Sequence, residues 1–138
     1  MTLGVFVKAL VIAVCAGLTA WSYFAAGWAA DGLLFDDPSR SFDRGIWLLW
    51  PTLFGSFTIG LPVALLTFLL SWRHLVQSPT TLAIVTVLAG IMMILTSYAI
   101  GKEGGVLALG IPAFIAALTY GILGWFWILR PLRASATA

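Results

Sequence analysis

The sequence predicts an all-α integral membrane protein, a bundle of four transmembrane helices whose two hairpins carry a common pattern. Three observations lead there. The chain is 62% hydrophobic and only 9% charged, whereas a soluble domain is roughly a quarter charged. Its twelve Asp, Glu, Lys and Arg residues cannot cover a water-facing surface. They are also segregated, leaving uncharged windows at 9–30, 45–72, 74–101 and 104–129. Each window exceeds the roughly 20 apolar residues needed to cross a hydrocarbon core about 30 Å thick, and each is too short to cross it twice.

The first window, with a helix expected over 3–26, opens after Lys8 and runs through "ALVIAVCAGLTAW" without the small-x-small pattern of a cleavage site, so it reads as a retained span. Ala9, Ala13 and Gly17 recur every four residues and therefore share one helix face. Such a row of small side chains lets another backbone approach closely where lipid offers no hydrophobic drive for association. Cys15 lies deep in this window and reads as a small packing residue; a single cysteine excludes an internal disulfide.

Residues 27–45 form the longest charged connection, "GWAADGLLFDDPSRSFDRG", expected as an acidic extracytoplasmic loop. Asp31, Asp36, Asp37 and Asp43 lack the alternating acid pattern of a calcium loop. With Phe35 they form a candidate docking surface for a partner protein, against the simpler role of a solvated connector.

The second helix is expected over 46–71. Pro51 suits its first turn, where a missing amide costs little, and Ser56, Gly60 and Ala64 offer another small-residue row. Pro62 lies well inside the span. An interior proline removes a donor and frees the carbonyl four residues earlier, here Thr58. The third helix (79–100) and the tight turn "GKEGG" lead to a fourth (105–129) that repeats the device. Gly55, Gly60 and Pro62 return fifty positions later as Gly105, Gly110 and Pro112, and Ser22–Tyr23 returns as Ser97–Tyr98. The pattern raises a tandem duplication of helical hairpins, with kinks at Pro62 and Pro112. In the fourth helix Ala113, Ala117 and Gly121 mirror Ala9, Ala13 and Gly17, and the two rows are expected to face each other antiparallel. Residues 130–138 form a cytoplasmic tail.

Four spans put both termini on one side. Lys8, Arg73, Arg130 and Arg133 lie there, against Arg40, Arg44 and Lys102 opposite, and all five acids lie opposite too. The positive-inside rule then favours an N-in, C-in protein of a bacterial cytoplasmic (inner) membrane. Trp21, Trp28, Trp47 and Trp50 at one end, with Trp72, Trp125 and Trp127 at the other, are expected as interfacial anchors.

The chemistry is sparse. No ionisable side chain falls near the centre of any window, which removes the usual pointer to an ion path or proton relay. One histidine and one distant cysteine make no metal or haem ligand set, so neither cofactor nor metal is expected. No nucleophile and base pair suggests an enzyme, and the few scattered cations do not suit nucleic acid. The expected partners are the lipid bilayer and other membrane proteins, or a second copy of the chain. The leading expectation is a non-catalytic accessory or assembly subunit; the alternative is a small oligomeric transporter or channel for a neutral or amphipathic solute. A mid-span cavity lined by Thr58, Thr67, Thr96 or Thr119 would favour the alternative.

Overall fold

The computed structural model describes residues 3–34 and 38–137, of which 28–34, 38–46 and position 72 are described by backbone alone. Nearly every described residue is helical, and none is in a strand. Helix α1 covers Leu3–Leu34 and α2 covers Pro38–Gly55. A π-turn at Ser56–Gly60 joins α2 to α3, Leu61–Gln77. After Ser78 comes α4, Pro79–Gly105. A second π-turn, Val106–Gly110, leads to α5, Ile111–Gly124. A third, Trp125–Leu129, leads to α6, Arg130–Thr137.

Three helical stretches are long and apolar enough to cross a membrane: Leu3–Gly27, Trp47–Ser71 and the 59-residue Pro79–Thr137. The last is two rods. Its backbone leaves the helical region at Gly101 and at Lys102, whose φ is 50°, and the segments on either side pack antiparallel. Gly121 lies beside Thr86, Gly90 beside Phe114, and Gly110 beside Ile94 and Ser97. The glycines of "GKEGG" were expected to supply the freedom to reverse, yet among the described residues the positive φ falls on Lys102 and on no glycine. Gly105 has a different reason for lacking a side chain: a methyl there would run into the carbonyl oxygen of Ser97.

The first hairpin also closes antiparallel, with Leu53 and Ser56 against Gly17. Its ends differ from expectation. Helical backbone continues to Leu34 and resumes at Pro38, so most of the connection expected over 27–45 is helix projecting past the apolar windows. Local preference explains this, because Ala29, Ala30, Leu33 and Leu34 favour helix and proline is preset for a first helical position. Phe35, Asp36 and Asp37 lie outside the described residues, as do the side chains of Asp31 and Asp43.

At the other end, α3 runs on through the basic connection, and Ser78 alone separates it from α4. Ser78 caps α4 by accepting from the Thr81 amide at 3.4 Å, with Pro79 as the first helical residue. The amide of Ser78 meanwhile donates to His74 O at 3.1 Å.

Helix α1 is the hub. One third of its apolar window is buried, against 6% for Trp47–Ser71 and 11% for Pro79–Thr137. Its buried face is made almost wholly of small residues, namely Ala9, Ala13, Ala16, Gly17 and Ala20 with Ile12. It takes α2 on one side and α5 on the other. Large apolar side chains such as Leu18, Phe54, Leu70, Met92 and Ile122 point outward, the inverse of a soluble core and the signature of an integral membrane protein.

Candidate functional site

All three π-turns end two residues before a proline: Gly60 before Pro62, Gly110 before Pro112 and Leu129 before Pro131. A proline ring collides with the carbonyl of the preceding turn and offers no amide. Widening that turn relieves the collision. The closing bonds run Leu61 N to Ser56 O, Ile111 N to Val106 O and Arg130 N to Trp125 O. The widening also adds a carbonyl that no amide serves. The sequence pointed to Thr58 and Ala108, four residues before each proline. Because residue 61 donates to 56, and 62 cannot donate, Phe57 O is left without an amide; Leu107 O is its counterpart.

In the second hairpin the missing donor is replaced. Tyr23 of α1 donates its hydroxyl to Leu107 O at 3.1 Å. At the third π-turn, Lys8 donates to Trp127 O at 3.1 Å, the carbonyl four residues before Pro131. These two bonds, with a 2.8 Å hydroxyl pair between Thr19 and Thr119, align α1 antiparallel to the fourth rod. Nothing in the local sequence marked Tyr23 or Lys8 for these roles, because their acceptors lie 84 and 119 residues away.

The small-residue rows are turned differently from the expected face-to-face arrangement. Gly17 is directed at Leu53 and Ser56 of the second rod, and Gly121 at Thr86 of α4. Each glycine admits its own hairpin partner, while the Thr19–Thr119 hydroxyl pair joins α1 to α5. Ala9 and Ala13 are buried in α1, and Ala64, Ala113 and Ala117 are half-buried. Gly60 faces Tyr120, where an added methyl would come within 2.9 Å of the ring. Pro112 is buried and Pro62 exposed.

Ser56 and Tyr120 form the polar centre of the bundle. Ser56 Oγ donates to Ala13 O at 2.7 Å, and Tyr120 donates to Ser56 O at 2.9 Å, with the two hydroxyl oxygens 3.0 Å apart. One cluster thus ties together α1, the first π-turn and α5.

The cluster borders a cavity of about 630 Å³ between the rods. The cavity reaches from Val5 to Phe24 along α1, and its wall includes Ala64, Phe68 and Leu75 of α3, Met93 and Ser97 of α4, and Ala113 and Ala117 of α5. Nineteen helical residues rise about 28 Å, so the space is a long slot. Its lining is apolar apart from hydroxyls. Of the threonines singled out from the sequence, Thr67 lines it, whereas Thr58, Thr96 and Thr119 do not. The protons of its hydroxyls are largely committed: Thr52 donates to Leu48 O and Leu49 O, Thr67 to Val63 O, and Ser97 to Met93 O. A hydroxyl has one proton and two lone pairs, so the slot presents acceptors and no charge.

Among the described residues, no three His, Cys, Asp or Glu side chains come together. No protein-family model, curated protein or solved structure matches the chain.

Proposed function

We propose that the chain is a four-span membrane protein, with both termini cytoplasmic, that binds a neutral and mainly hydrocarbon molecule between its helices and serves as its carrier. The slot is the observation that supports this reading. Small-molecule sites occupy about 300–1,000 Å³, are mostly apolar with a few polar groups, and occur between the helices of bundles. The uncharged lining disfavours ions, and the spare lone pairs suit a guest with a single hydroxyl donor, such as a long-chain alcohol. We read the role as non-catalytic and place the protein in a bacterial cytoplasmic membrane from its charge asymmetry.

Ala117 lines the slot opposite α3, so Ala117→Phe fills it. A photoreactive long-chain alcohol should label the wild-type protein saturably, be displaced by unlabelled alcohol, and label Ala117→Phe at least tenfold less. Equal, non-saturable labelling of both would end the proposal.

A separate observation favours the accessory or assembly subunit. The apolar window of the second rod is only 6% buried, leaving most of that helix to lipid or to a partner helix. Co-purification of one stoichiometric membrane protein in mild detergent is the corresponding result.

A further inference from the structure

We propose that the slot has a head-group end, beside the reversal at Lys102, and that the guest is a single-chain lipid with an uncharged polyol head, of which a monoacylglycerol is the type. The inference rests on the slot reading and adds to it a direction and a second compartment.

The two ends of the slot are built differently. Around Val5 its wall includes Leu75, Ile128 and Leu129, all buried, and the Lys8 bond to Trp127 O ties α1 across the same end. That end is a stopper of packed hydrocarbon. At the other end Phe24 and Ala108 line the slot and also line a second cavity of about 460 Å³, whose wall includes Tyr23, Gly27, Gly104 and Leu107. A guest lying in the slot can therefore extend only one way, past Phe24.

The second cavity lies at a different depth. Lys102 and Glu103 adjoin Gly104 and are exposed, and charged side chains are kept out of the hydrocarbon layer by the cost of burying them there. The cavity thus sits at the membrane surface, above a slot at acyl-chain depth. Tyr23 and Gly27 lie one turn apart on α1, as do Gly104 and Ala108 on the facing rod. A Cβ added at Gly27 or Gly104 would meet nothing within 4 Å. Two walls without side chains keep this compartment wide.

Its chemistry selects the head. None of its lining residues is charged. Its one polar side chain, Tyr23, gives its proton to Leu107 O at 3.1 Å, so the hydroxyl keeps lone pairs and no free donor. Hydroxyl groups complement such a wall, whereas a carboxylate or phosphate brings only more acceptors. A lone hydroxyl would also leave most of the space to water, at about 30 Å³ per molecule. A glycerol-sized head uses it better.

The experiment uses the full chain in nanodiscs and two photoreactive monoacylglycerols, one with its diazirine beside the ester and one at the chain terminus. The first should label peptides containing Phe24 or Ala108, and the second peptides containing Leu75 or Leu129. The reverse pattern, or one pattern from both probes, overturns the direction. Gly27→Leu and Gly104→Leu should each weaken monoacylglycerol binding about tenfold by filling the head compartment, yet change that of a plain long-chain alcohol by about twofold at most. Gly4→Leu, at an exposed glycine with equally open space near the start of α1, should change neither. If the alcohol labels saturably while both chamber variants bind monoacylglycerol as wild type does, the head compartment falls and the slot stands. A lysophosphatidic acid that competes as well as the monoacylglycerol overturns the uncharged head. Saturable labelling by neither lipid nor alcohol ends both readings.

Discussion

Pro62 and Pro112 stand in matching sequence, each seven residues after a glycine and two after another, and each is preceded by the same five-residue π-turn. Their surroundings are unlike. Pro112 is buried and Tyr23 of α1 donates a hydroxyl to Leu107 O of its turn; Pro62 is exposed, and the hydroxyl its turn receives comes from Tyr120 of α5 and goes to Ser56 O. Gly105 is pressed onto the Ser97 carbonyl, whereas Gly55 has open space around it. Nor do the hairpins share a register. Ser56 meets Ala13 in the first, and the proposed offsets would pair Val106 with Leu88, yet Gly110 lies on Ile94 and Ser97. A short pattern of glycine and proline therefore determines how the backbone turns, while the neighbour met by that turn depends on the rest of the chain.

The sharpest way to break the resemblance is to place the same methyl on both glycines. Gly105→Ala drives a Cβ into backbone, which cannot move aside as a side chain can, and should cost about 3 kcal/mol. Gly55→Ala, in open helical space, should gain about 0.5–1 kcal/mol. Reversible unfolding in detergent micelles reads both, and equal effects would erase the distinction.

Tyr23→Phe tests the donor difference directly. It should cost about 1–2 kcal/mol by stranding Leu107 O and make the second site resemble the first. Combined with Pro112→Ala, which restores an amide to the turn, the tyrosine's loss should become nearly silent.

A smaller effect than the loss of the tyrosine hydroxyl is expected at the reversal. Lys102 has φ 50° and ψ −137°, a conformation that favours glycine. Lys102→Gly should stabilise the second hairpin by about 1 kcal/mol in the same assay. A loss of stability would show that the lysine side chain matters more than the backbone strain.

The sequence made the all-helical class legible because segregated charge and apolar length are local properties. It also marked both irregular helices, since proline acts on its own backbone. The sequence pointed to the Thr58 carbonyl alone; the widened turn adds Phe57 O, because sequence shows the proline but not the widening that accommodates it. The third π-turn went unnoticed although Pro131 was in plain view; Gly124 precedes it by seven residues as in the other two, but Leu129 stands where Gly60 and Gly110 do. Ser56 was read as a small packing residue, yet it is also a hydrogen-bonding centre, because its partners Ala13 and Tyr120 lie 43 and 64 residues away. The slot was foreseeable only as a question. Its threonines were chosen by depth, whereas lining depends on helix rotation.

The bond from Lys8 to Trp127 spans 119 residues, and this separation sets a timetable for biogenesis. A ribosome adding about 5–20 residues per second needs roughly 6–24 s to make that interval. Throughout it, the alanine face of α1 awaits its last neighbour. The nascent first hairpin must therefore wait in the bilayer with one flank open, in the company of lipid or an insertion factor, until the final rod arrives and Lys8 latches onto it.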